Sequence, residues 1–332
     1  AGLDRVAEAV RGREPEVLLV LSPHHPCTPG SLGFNAAPES EGSFAAFGAP
    51  KVRVDFRTRA EDREALGRFL MPHGIPVSHQ ASPDLSSDQG TLVPLYFLRR
   101  AWGALPATLT ASPVGLSPRG AFDLGQALAD FDDGRTWALL ASGDLSHRLT
   151  PSAPAGYAPE AGRAFDDAVL EALRQGSAAP IFALGLKTIN EAGQCGLWSV
   201  LTMLGLMEAL GGAAKVLSYE GPFGVGYCTA VWDAPAPAPV RLARETVTRL
   251  LSGRPLPERG GDVCASPLWE RTAACFVSIK TRQGALRGCI GTLTPSQGTL
   301  DREIIENAVA AATRDPRFPP MTAGELEGVR LS

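Results

Sequence analysis

The chain has 332 residues, of which 44% are hydrophobic and 20% are charged, so it can form two domains that each bury a core. Its formal net charge of -4 provides no basic field for binding nucleic acid. No apolar run approaches the roughly 20 residues that span a membrane, so the sequence predicts neither nucleic-acid binding nor membrane insertion.

Apolar runs that could form buried strands alternate with helical patterns over the first 232 residues. The strands are predicted near residues 16–22, 51–55, 106–112, 136–142, 215–219 and 225–232. The helices are predicted near residues 2–12, 59–71, 90–102, 120–132, 160–174 and 196–210. This alternation is typical of a layered α/β domain.

An Ala-Pro repeat at residues 233–239 follows this first domain. Alternating proline keeps a chain extended and removes backbone donors, so we interpret the repeat as a linker between domains. The elements predicted beyond it are a helix over 240–252, strands at 275–280 and 286–290 joined around 282–285, and a helix over 301–313. Residues 315–320 end that last helix, because proline cannot continue it.

The ends of the chain and its cysteines lead to two further expectations. The chain opens at Ala1 within an amphipathic helical pattern and stops at Ser332, where residues 329–332 begin to resemble a strand. We therefore expect a fragment that is cut at both ends. The six cysteines form no CxxC pair, which is typical of free thiols in a reducing cytoplasm.

Two of the predicted strands end at histidines, of which the chain has only 5. The run 137–140 leads into Ser-Gly-Asp-Leu-Ser-His at 142–147, and the run 17–21 leads into Ser-Pro-His-His-Pro at 22–26. The carboxyl ends of strands are where α/β folds place their chemistry. We therefore predict a metal or acid–base site between these two strand ends.

Several alternatives remain open at this predicted edge. His24 and His25 point to opposite sides of a strand end, so one of them is expected to be structural. Asp144 either orients His147 or caps the next element. Cys195, at a predicted helix start, is either a small buried residue or a thiolate whose pKa the helix N-terminus lowers.

Four segments, in this order along the chain, resemble the LigB-like family, which comprises the class III extradiol ring-cleaving dioxygenases and their Memo relatives. They are residues 22–24, 88–95, 142–147 and 219–227, and the resemblance covers residues 1–232. It implies a layered α/β/α domain with a non-haem Fe(II) ion, which a catechol chelates beside dioxygen. It also implies that His24 is a metal ligand and that His147 is the catalytic acid–base residue.

The chain departs from the family's pattern at three places. The family's first ligand lies on an N-terminal strand that would precede Ala1. Gln89 stands where the family usually has histidine, and Gln194 stands where many relatives have glutamate. Cys195 aligns with a cysteine of Memo-type members, so the resemblance makes Cys195 a better metal-ligand candidate than Gln194.

Residues 286–292, with the sequence Leu-Arg-Gly-Cys-Ile-Gly-Thr, resemble the AMMECR-type domain together with residues 307–308 and 315–320. The resemblance implies a smaller α+β domain over residues 240–332 that lacks its last strands. Arg287 and Cys289 form a candidate functional surface on a rigid strand edge. Alternatively, the motif has only a structural role, because the tight turn requires its glycines. No histidine lies beyond position 147, which excludes a Cys–His pair within this domain.

A chain with both domains resembles the fused components of an AmmeMemoRadiSam system, which implies a radical-SAM protein as partner. The chain itself lacks the CxxxCxxC motif of a radical enzyme. Three functional hypotheses follow. The chain is an Fe(II)-dependent extradiol-type oxidoreductase acting on a catechol-like substrate, a catalytically degenerate metal-binding accessory protein for that partner, or a nucleophilic catalyst that uses Cys195 with His147.

Overall fold

The structure is a computed structural model that describes residues 2–281 and 284–332. It divides into two units, Ala1–Pro235 and Ala236–Ser332, and the division falls inside the predicted Ala-Pro linker. Within the described residues, each helix is too short or too polar to cross a lipid bilayer. All six cysteines are free thiols.

The first unit alternates strands and helices along the chain. Its elements are α1 (Gly2–Arg11), β1 (Val17–Leu21), β2 (Leu32–Asn35), β3 (Glu39–Phe44), β4 (Ala49–Arg57), α2 (Ala60–Leu70), β5 (Val77–Gln80), α3 (Gln89–Trp102), β6 (Ala107–Ser112), α4 (Pro118–Leu128), β7 (Trp137–Ala141), α5 (Pro159–Gln175), α6 (Ala179–Phe182), α7 (Leu186–Ala192), α8 (Leu197–Leu210), β8 (Lys215–Glu220) and β9 (Tyr227–Val231).

A five-stranded sheet in the order β5-β2-β6-β1-β7 forms the centre of the first unit. β1 lies between β6 and β7 and runs parallel to both, whereas β2 runs antiparallel to β6 and parallel to β5. β1 consists only of buried valine and leucine, which is why its sequence predicts a central strand. The hairpins β3–β4 and β8–β9 form separate two-stranded sheets.

Helices cover the central sheet on both sides, and the side chains of β1 alternate between them. Val17, Leu19 and Leu21 pack with α2 and α4. Leu18 and Val20 pack with α1 and α3. This three-layer α/β/α arrangement confirms the predicted fold class.

Several elements of the first unit differ from the sequence prediction. β2, β3, β5, α6 and α7 were not predicted; the three strands are four to six residues long, and β3 carries polar residues and glycine over most of its length. Short polar strands lack the apolar periodicity on which a sequence prediction depends. Helix α4 starts earlier than predicted, because Ser117 accepts the N–H of Gly120 as a cap and Pro118 occupies the first turn.

The second unit has an α+β fold, as predicted. Its elements are α9 (Ala238–Leu251), β10 (Phe276–Thr281), β11 (Leu286–Gly291), α10 (Leu300–Thr313) and β12 (Val329–Leu331). The strands form an antiparallel sheet in the order β11-β10-β12, and α9 and α10 bury its apolar residues in one core.

Two details of the second unit bear on the predicted boundaries. Helix α9 already begins at Ala238, inside the predicted linker of residues 233–239, because Pro239 in the first helical turn requires no backbone donor. The predicted turn between β10 and β11 includes Arg282 and Gln283, which lie outside the described residues.

Candidate functional site

Two neighbouring parallel strands of the first unit end at the same edge of the central sheet. Leu21 at the end of β1 pairs with Ala141 at the end of β7. The next residue, Ser142, donates its N–H to the carbonyl of Leu21 at 2.9 Å, so the two chains stay adjacent beyond the strands. The histidine segments 22–26 and 142–147 therefore leave the sheet side by side.

Asp144, His147 and Cys195 form a cluster of ligating groups at this edge. One carboxylate oxygen, one imidazole nitrogen and the thiol sulfur lie within 4.8 Å of one another. Nε2 of His147 lies 3.5 Å from Oδ2 of Asp144 and 3.9 Å from Sγ of Cys195. All three residues are half-buried, so their side chains remain partly accessible.

The backbone brings Cys195 against the loop of Asp144, although 51 residues separate the two in sequence. The carbonyl of Asp144 accepts the N–H of Cys195 at 3.3 Å and the N–H of Gly196 at 2.8 Å. The N–H of Asp144 in turn donates to Sγ of Cys195 at 3.2 Å. A Cβ at Gly143 would lie 2.6 Å from Cα of Gly196, so this close approach requires glycine.

The buried carboxylate of Asp88 organises the other strand end. It accepts hydrogen bonds from Oγ of Ser22 at 2.5 Å and from the N–H and Oγ1 of Thr91 at 3.0 and 2.9 Å. Oδ1 of Asp88 also lies 3.7 Å from Nδ1 of His24. Asp88 is not among the predicted site residues, because an aspartate before a helix usually indicates only an N-cap.

Asp88 remains ionised despite its burial. Burial alone would raise the pKa of its carboxyl, but hydrogen bonds from His24, Ser22 and Thr91 outweigh that effect and lower the pKa. The charge of Asp88 is therefore available to stabilise a protonated His24.

The structure distinguishes the two adjacent histidines. His25 is buried, and burial lowers the pKa of its imidazole. His24 is partly exposed, and hydrogen bonds to Asp88 and then to Cys195 raise its pKa to about 10. His24 therefore lies at the sheet edge within electrostatic reach of Cys195, outside the cluster of Asp144, His147 and Cys195, whereas His25 belongs to the interior.

The same contacts shift the protonation of His147 and Cys195. Hydrogen bonds to Asp144 and Cys195 raise the pKa of His147 to about 9. Burial alone would raise the pKa of the Cys195 thiol, but hydrogen bonds from His147 and His24 lower it to about 7. In the absence of a metal ion, these contacts favour the pairing of a Cys195 thiolate with a protonated His147.

The two glutamines that depart from the family pattern lie at helix starts. Gln89 is the first residue of α3, next to Asp88, and is half-buried. Gln194 uses its side-chain oxygen to accept the N–H of Leu197 at 2.8 Å, at the start of α8. The structure thus gives this oxygen a capping role, and the ligand role of Gln194 stays a prediction.

A fully buried carboxylate in α5, Asp166, fixes the loop that carries His147. Its Oδ1 accepts the N–H of Ser146 at 2.8 Å, and its Oδ2 accepts the hydroxyl of Tyr219 at 2.7 Å. Burial raises the pKa of Asp166 and also that of Tyr219. The sequence carried no signal for Asp166, because it lies in an ordinary amphipathic helix.

In the second unit, ion pairs surround the predicted residues Arg287 and Cys289. Nε of Arg287 donates to Oε1 of Glu325 at 2.6 Å. Asp315 accepts the N–H of Cys289 at 2.8 Å, and Arg317 donates to the Cys289 carbonyl at 3.0 Å. Asp315 and Arg317 also pair with each other at 2.7 Å. Over the described residues of this unit, no three ligating side chains converge as they do at the first unit's sheet edge.

Both units match known protein families. Residues 1–230 match the LigB family, described as the catalytic LigB subunit of aromatic ring-opening dioxygenase. Residues 240–332 match the AMMECR1 family. These matches confirm the two resemblances that the sequence motifs indicated.

Several relatives cover different shares of the chain. Protein CA_C1420 of Clostridium acetobutylicum is 30% identical over 99% of this chain and 77% of its own length. A Thermotoga maritima protein is 50% identical over 19% of this chain, and a Methanosarcina acetivorans protein is 44% identical over 27%. The chain spans 36% and 45% of the lengths of these last two relatives. The names of these three proteins state no activity.

Two crystal structures of uncharacterized proteins are also similar to the chain. Protein PH0010 from Pyrococcus horikoshii shares 32% identity over 27% of this chain and 45% of its own, with a TM-score of 0.24. Protein JW3007 from Escherichia coli K12 shares 16% identity over 69% of this chain and 89% of its own, with a TM-score of 0.47.

Proposed function

Because the chain belongs to the LigB family over residues 1–230 and carries an AMMECR1 domain over residues 240–332, we propose that it is an Fe(II)-dependent oxidoreductase of the extradiol type. Its proposed substrate is a small catechol-like aromatic compound. The observation that carries the proposal is the convergence of Asp144, His147 and Cys195 within 4.8 Å at the carboxyl edge of the sheet.

The donor set at this edge suits a first-row divalent metal ion. Imidazole and carboxylate groups suit Fe(II), and a thiolate adds a softer ligand. Of the convergent cluster, we assign Asp144 and Cys195 as ligands and keep His147 as the proton acceptor. We assign His24, which lies outside that cluster and is held by Asp88, as the third ligand. A bound Fe(II) ion would supply dioxygen activation at its open coordination positions.

The protein's own residues orient the ligands and move protons in this proposal. Asp88 holds Nδ1 of His24, which leaves Nε2 as the ligating atom. His147 can accept a substrate proton at Nε2, the atom that lies 3.5 Å from Asp144, because a bound cation would oppose the protonation of His147 that the metal-free site favours. The carboxylate of Asp144 stabilises the resulting imidazolium, so His147 can hold the proton and return it in a later step.

Oxygen consumption with a panel of catechols tests the proposal. We expect protein loaded with Fe(II) under nitrogen to consume oxygen and to form a ring-opened product once air is admitted. His147→Ala removes the proton acceptor and should lower the rate by about 10²–10⁴-fold. His73→Ala is the matched control, because His73 is an exposed histidine of the same unit that bonds to the carbonyl of Phe69. Equal rates for wild type and His147→Ala would contradict the proposal.

The alternative form of this proposal is that the chain is an accessory protein to a radical-SAM partner. The two proteins would then belong to a cytoplasmic system of the AmmeMemoRadiSam type. Gln89 and Gln194, in place of the family's histidine and glutamate, favour a site that binds metal without turnover. Co-purification with a radical-SAM protein, together with bound iron and no oxygen consumption, would favour the accessory role over the enzyme.

One geometric observation favours a second candidate function, nucleophilic catalysis by Cys195. Its Sγ lies 3.9 Å from Nε2 of His147, and its pKa is lowered to about 7. A thiolate beside a histidine is a common arrangement in covalent catalysis. Under this candidate, iodoacetamide should alkylate metal-free protein selectively at Cys195, and slow or unselective labelling would argue against it.

A further inference from the structure

The turn between β8 and β9 is bonded to the loop that carries His147. The N–H of Leu145 donates to the carbonyl of Gly226 at 3.0 Å, and the N–H of Gly226 donates to the carbonyl of Ser146 at 2.7 Å. Leu145 and Ser146 lie between Asp144 and His147 in the chain. The residues on either side of Gly226 are therefore held at the edge of the candidate site.

Phe223, shortly before Gly226, combines two unfavourable features. Its φ of 59° and ψ of 12° lie in the left-handed region, which a residue with a bulky side chain seldom adopts. Its side chain is also 82% exposed, so a large apolar ring gains little burial from the fold. Backbone strain of this kind concentrates at binding and catalytic sites. The fold thus keeps an aromatic ring in solvent where glycine would be unstrained.

Tyr227, directly after Gly226, places a second exposed ring beside the site. It begins β9 and is 42% exposed. Burial raises the pKa of its hydroxyl, and the negative charges of Asp144 and Cys195 raise that pKa further. The phenol of Tyr227 therefore lies within electrostatic reach of two members of the candidate site.

From these observations we infer that Phe223 and Tyr227 form an aromatic binding surface, which stacks on the planar ring of a substrate whose oxygen atoms reach the candidate metal site. The inference rests on the proposed function for the reacting end of the substrate, and it adds the residues that select an aromatic ring over an aliphatic one. Stacking gives the ring of Phe223 the apolar contact that the fold withholds. Backbone hydrogen bonds hold the turn that carries Phe223, which limits the backbone entropy lost on binding.

Binding of catechol and of cyclohexane-1,2-diol, measured by calorimetry under nitrogen, tests this inference. Both compounds present adjacent hydroxyl groups, but only catechol has an aromatic ring. We expect Phe223→Ala to weaken catechol binding about tenfold and to leave the weaker binding of the cyclohexanediol unchanged. Phe223→Trp retains a ring and should preserve catechol binding. The ratio of the catechol dissociation constants of Phe223→Ala and wild type should be the same in titrations with and without Fe(II).

Phe223→Gly separates the loss of the ring from the relief of strain. Glycine accepts the left-handed conformation, so this variant should melt at a higher temperature than Phe223→Ala while losing as much catechol affinity. Glu14→Gly is the matched control. Among the described residues Glu14 is the other non-glycine residue with positive φ, at 46°, and it is exposed in the turn after α1. The Glu14→Gly variant should relieve backbone strain without changing the affinity for catechol.

The binding measurement does not depend on turnover, because it is made without oxygen. Catechol binding that depends on Phe223, in a protein that never consumes oxygen, would overturn the proposed function and support this inference. Equal catechol affinity in wild type and Phe223→Ala would overturn the inference even if oxygen is consumed. The absence of catechol binding to the wild-type protein would overturn it as well.

Discussion

The two units use the polar side chains of their most distinctive motifs in opposite ways. At the sheet edge of the first unit, His24, His147 and Cys195 are partly accessible and bond to one another and to two carboxylates. Sγ of Cys195 also accepts the backbone N–H of Asp144, whereas the two imidazoles contact other side chains. They therefore remain available to bind a metal ion or a substrate.

At the strand edge of the second unit, the fold itself occupies the charged groups. Arg287 pairs with Glu325, while Asp315 and Arg317 bond both to each other and to the backbone of Cys289. A conspicuous sequence motif thus indicates a reactive site only where its polar groups are not already used to hold the chain in place.

The largest effect is expected from alanine at the motif glycines. Gly143→Ala adds a Cβ 2.6 Å from Cα of Gly196 at a φ of 147°, and we expect it to cost about 2–4 kcal/mol of unfolding free energy and to abolish metal binding. Gly288→Ala would overlap the carbonyl of Ala311 and should cost similar stability.

Denaturant unfolding and oxygen uptake per folded molecule measure this contrast. We expect Gly288→Ala to retain the wild-type rate of oxygen uptake, whereas Gly143→Ala should lose it. An equal loss in both variants would remove the functional distinction between the two units.

A smaller effect is expected from Asp88→Asn, which keeps the shape of the side chain but removes its charge. Loss of the charge-assisted bonds to Ser22, Thr91 and His24 should cost about 1–3 kcal/mol. The pKa of His24 is raised from 6.5 to about 10, so its contribution to stability is complete below pH 6.5 and is lost as the pH rises through 10. Thermal melts of metal-free protein should show this alkaline loss in wild type and a weaker loss in Asp88→Asn. If the melting temperatures of wild type and Asp88→Asn fell in parallel as the pH rises, the role of Asp88 in stabilising protonated His24 would be contradicted.

Cysteine labelling sharpens the comparison within the first unit. The pKa of Cys195 is lowered to about 7, whereas burial raises the pKa of Cys228 to about 11. In metal-free protein, the rate of alkylation of Cys195 by iodoacetamide should therefore rise through pH 7, while Cys228 should stay slow until far more alkaline pH. His147→Gln should move the Cys195 profile to higher pH. A Cys195 profile centred near the ordinary thiol value of 9 would argue against the thiolate–imidazolium arrangement.

The smallest effect is expected from Glu325→Gln in the second unit. The side chain of Glu325 is 35% exposed, so its pair with Arg287 should contribute about 1 kcal/mol or less. The hydrogen bond from Arg287 lowers the pKa of Glu325 to about 2 from 4.5, so its contribution is present above pH 4.5 and is lost as the pH falls through 2. Urea unfolding at several pH values measures this effect. Reduced oxygen uptake in Glu325→Gln would show that the second unit takes part in the chemistry.

The parts of the site that lie on strongly apolar strands could be predicted from the sequence. β1 and β7 are apolar runs that end in histidine segments, which placed His24 and His147 at one edge of the sheet. Cys195 is distant in sequence from both, and only the family resemblance brought it to the site before the structure was known.

Other parts depend on tertiary packing, which local sequence patterns do not encode. Strands β2 and β5 are four residues long and have too little periodicity to be recognised. Asp88 has the sequence signature of a helix cap and Asp166 that of an ordinary helical acid; the fold alone brings them to His24 and Ser146. The motif did not indicate that the side-chain oxygen of Gln194 caps the start of α8, and the ligand role of Gln194 stays a prediction.

The central claim is that the sheet edge of the first unit is a metal site. Equilibrium binding of Fe(II) under anaerobic conditions tests this claim most directly. We expect wild type to bind Fe(II) stoichiometrically, and His24→Ala and Cys195→Ala each to weaken binding at least about 10–100-fold. His73→Ala and Cys264→Ala, which change an exposed histidine of the same unit and a cysteine of the second unit, should bind Fe(II) as wild type does. Wild-type affinity in His24→Ala and Cys195→Ala would contradict the account.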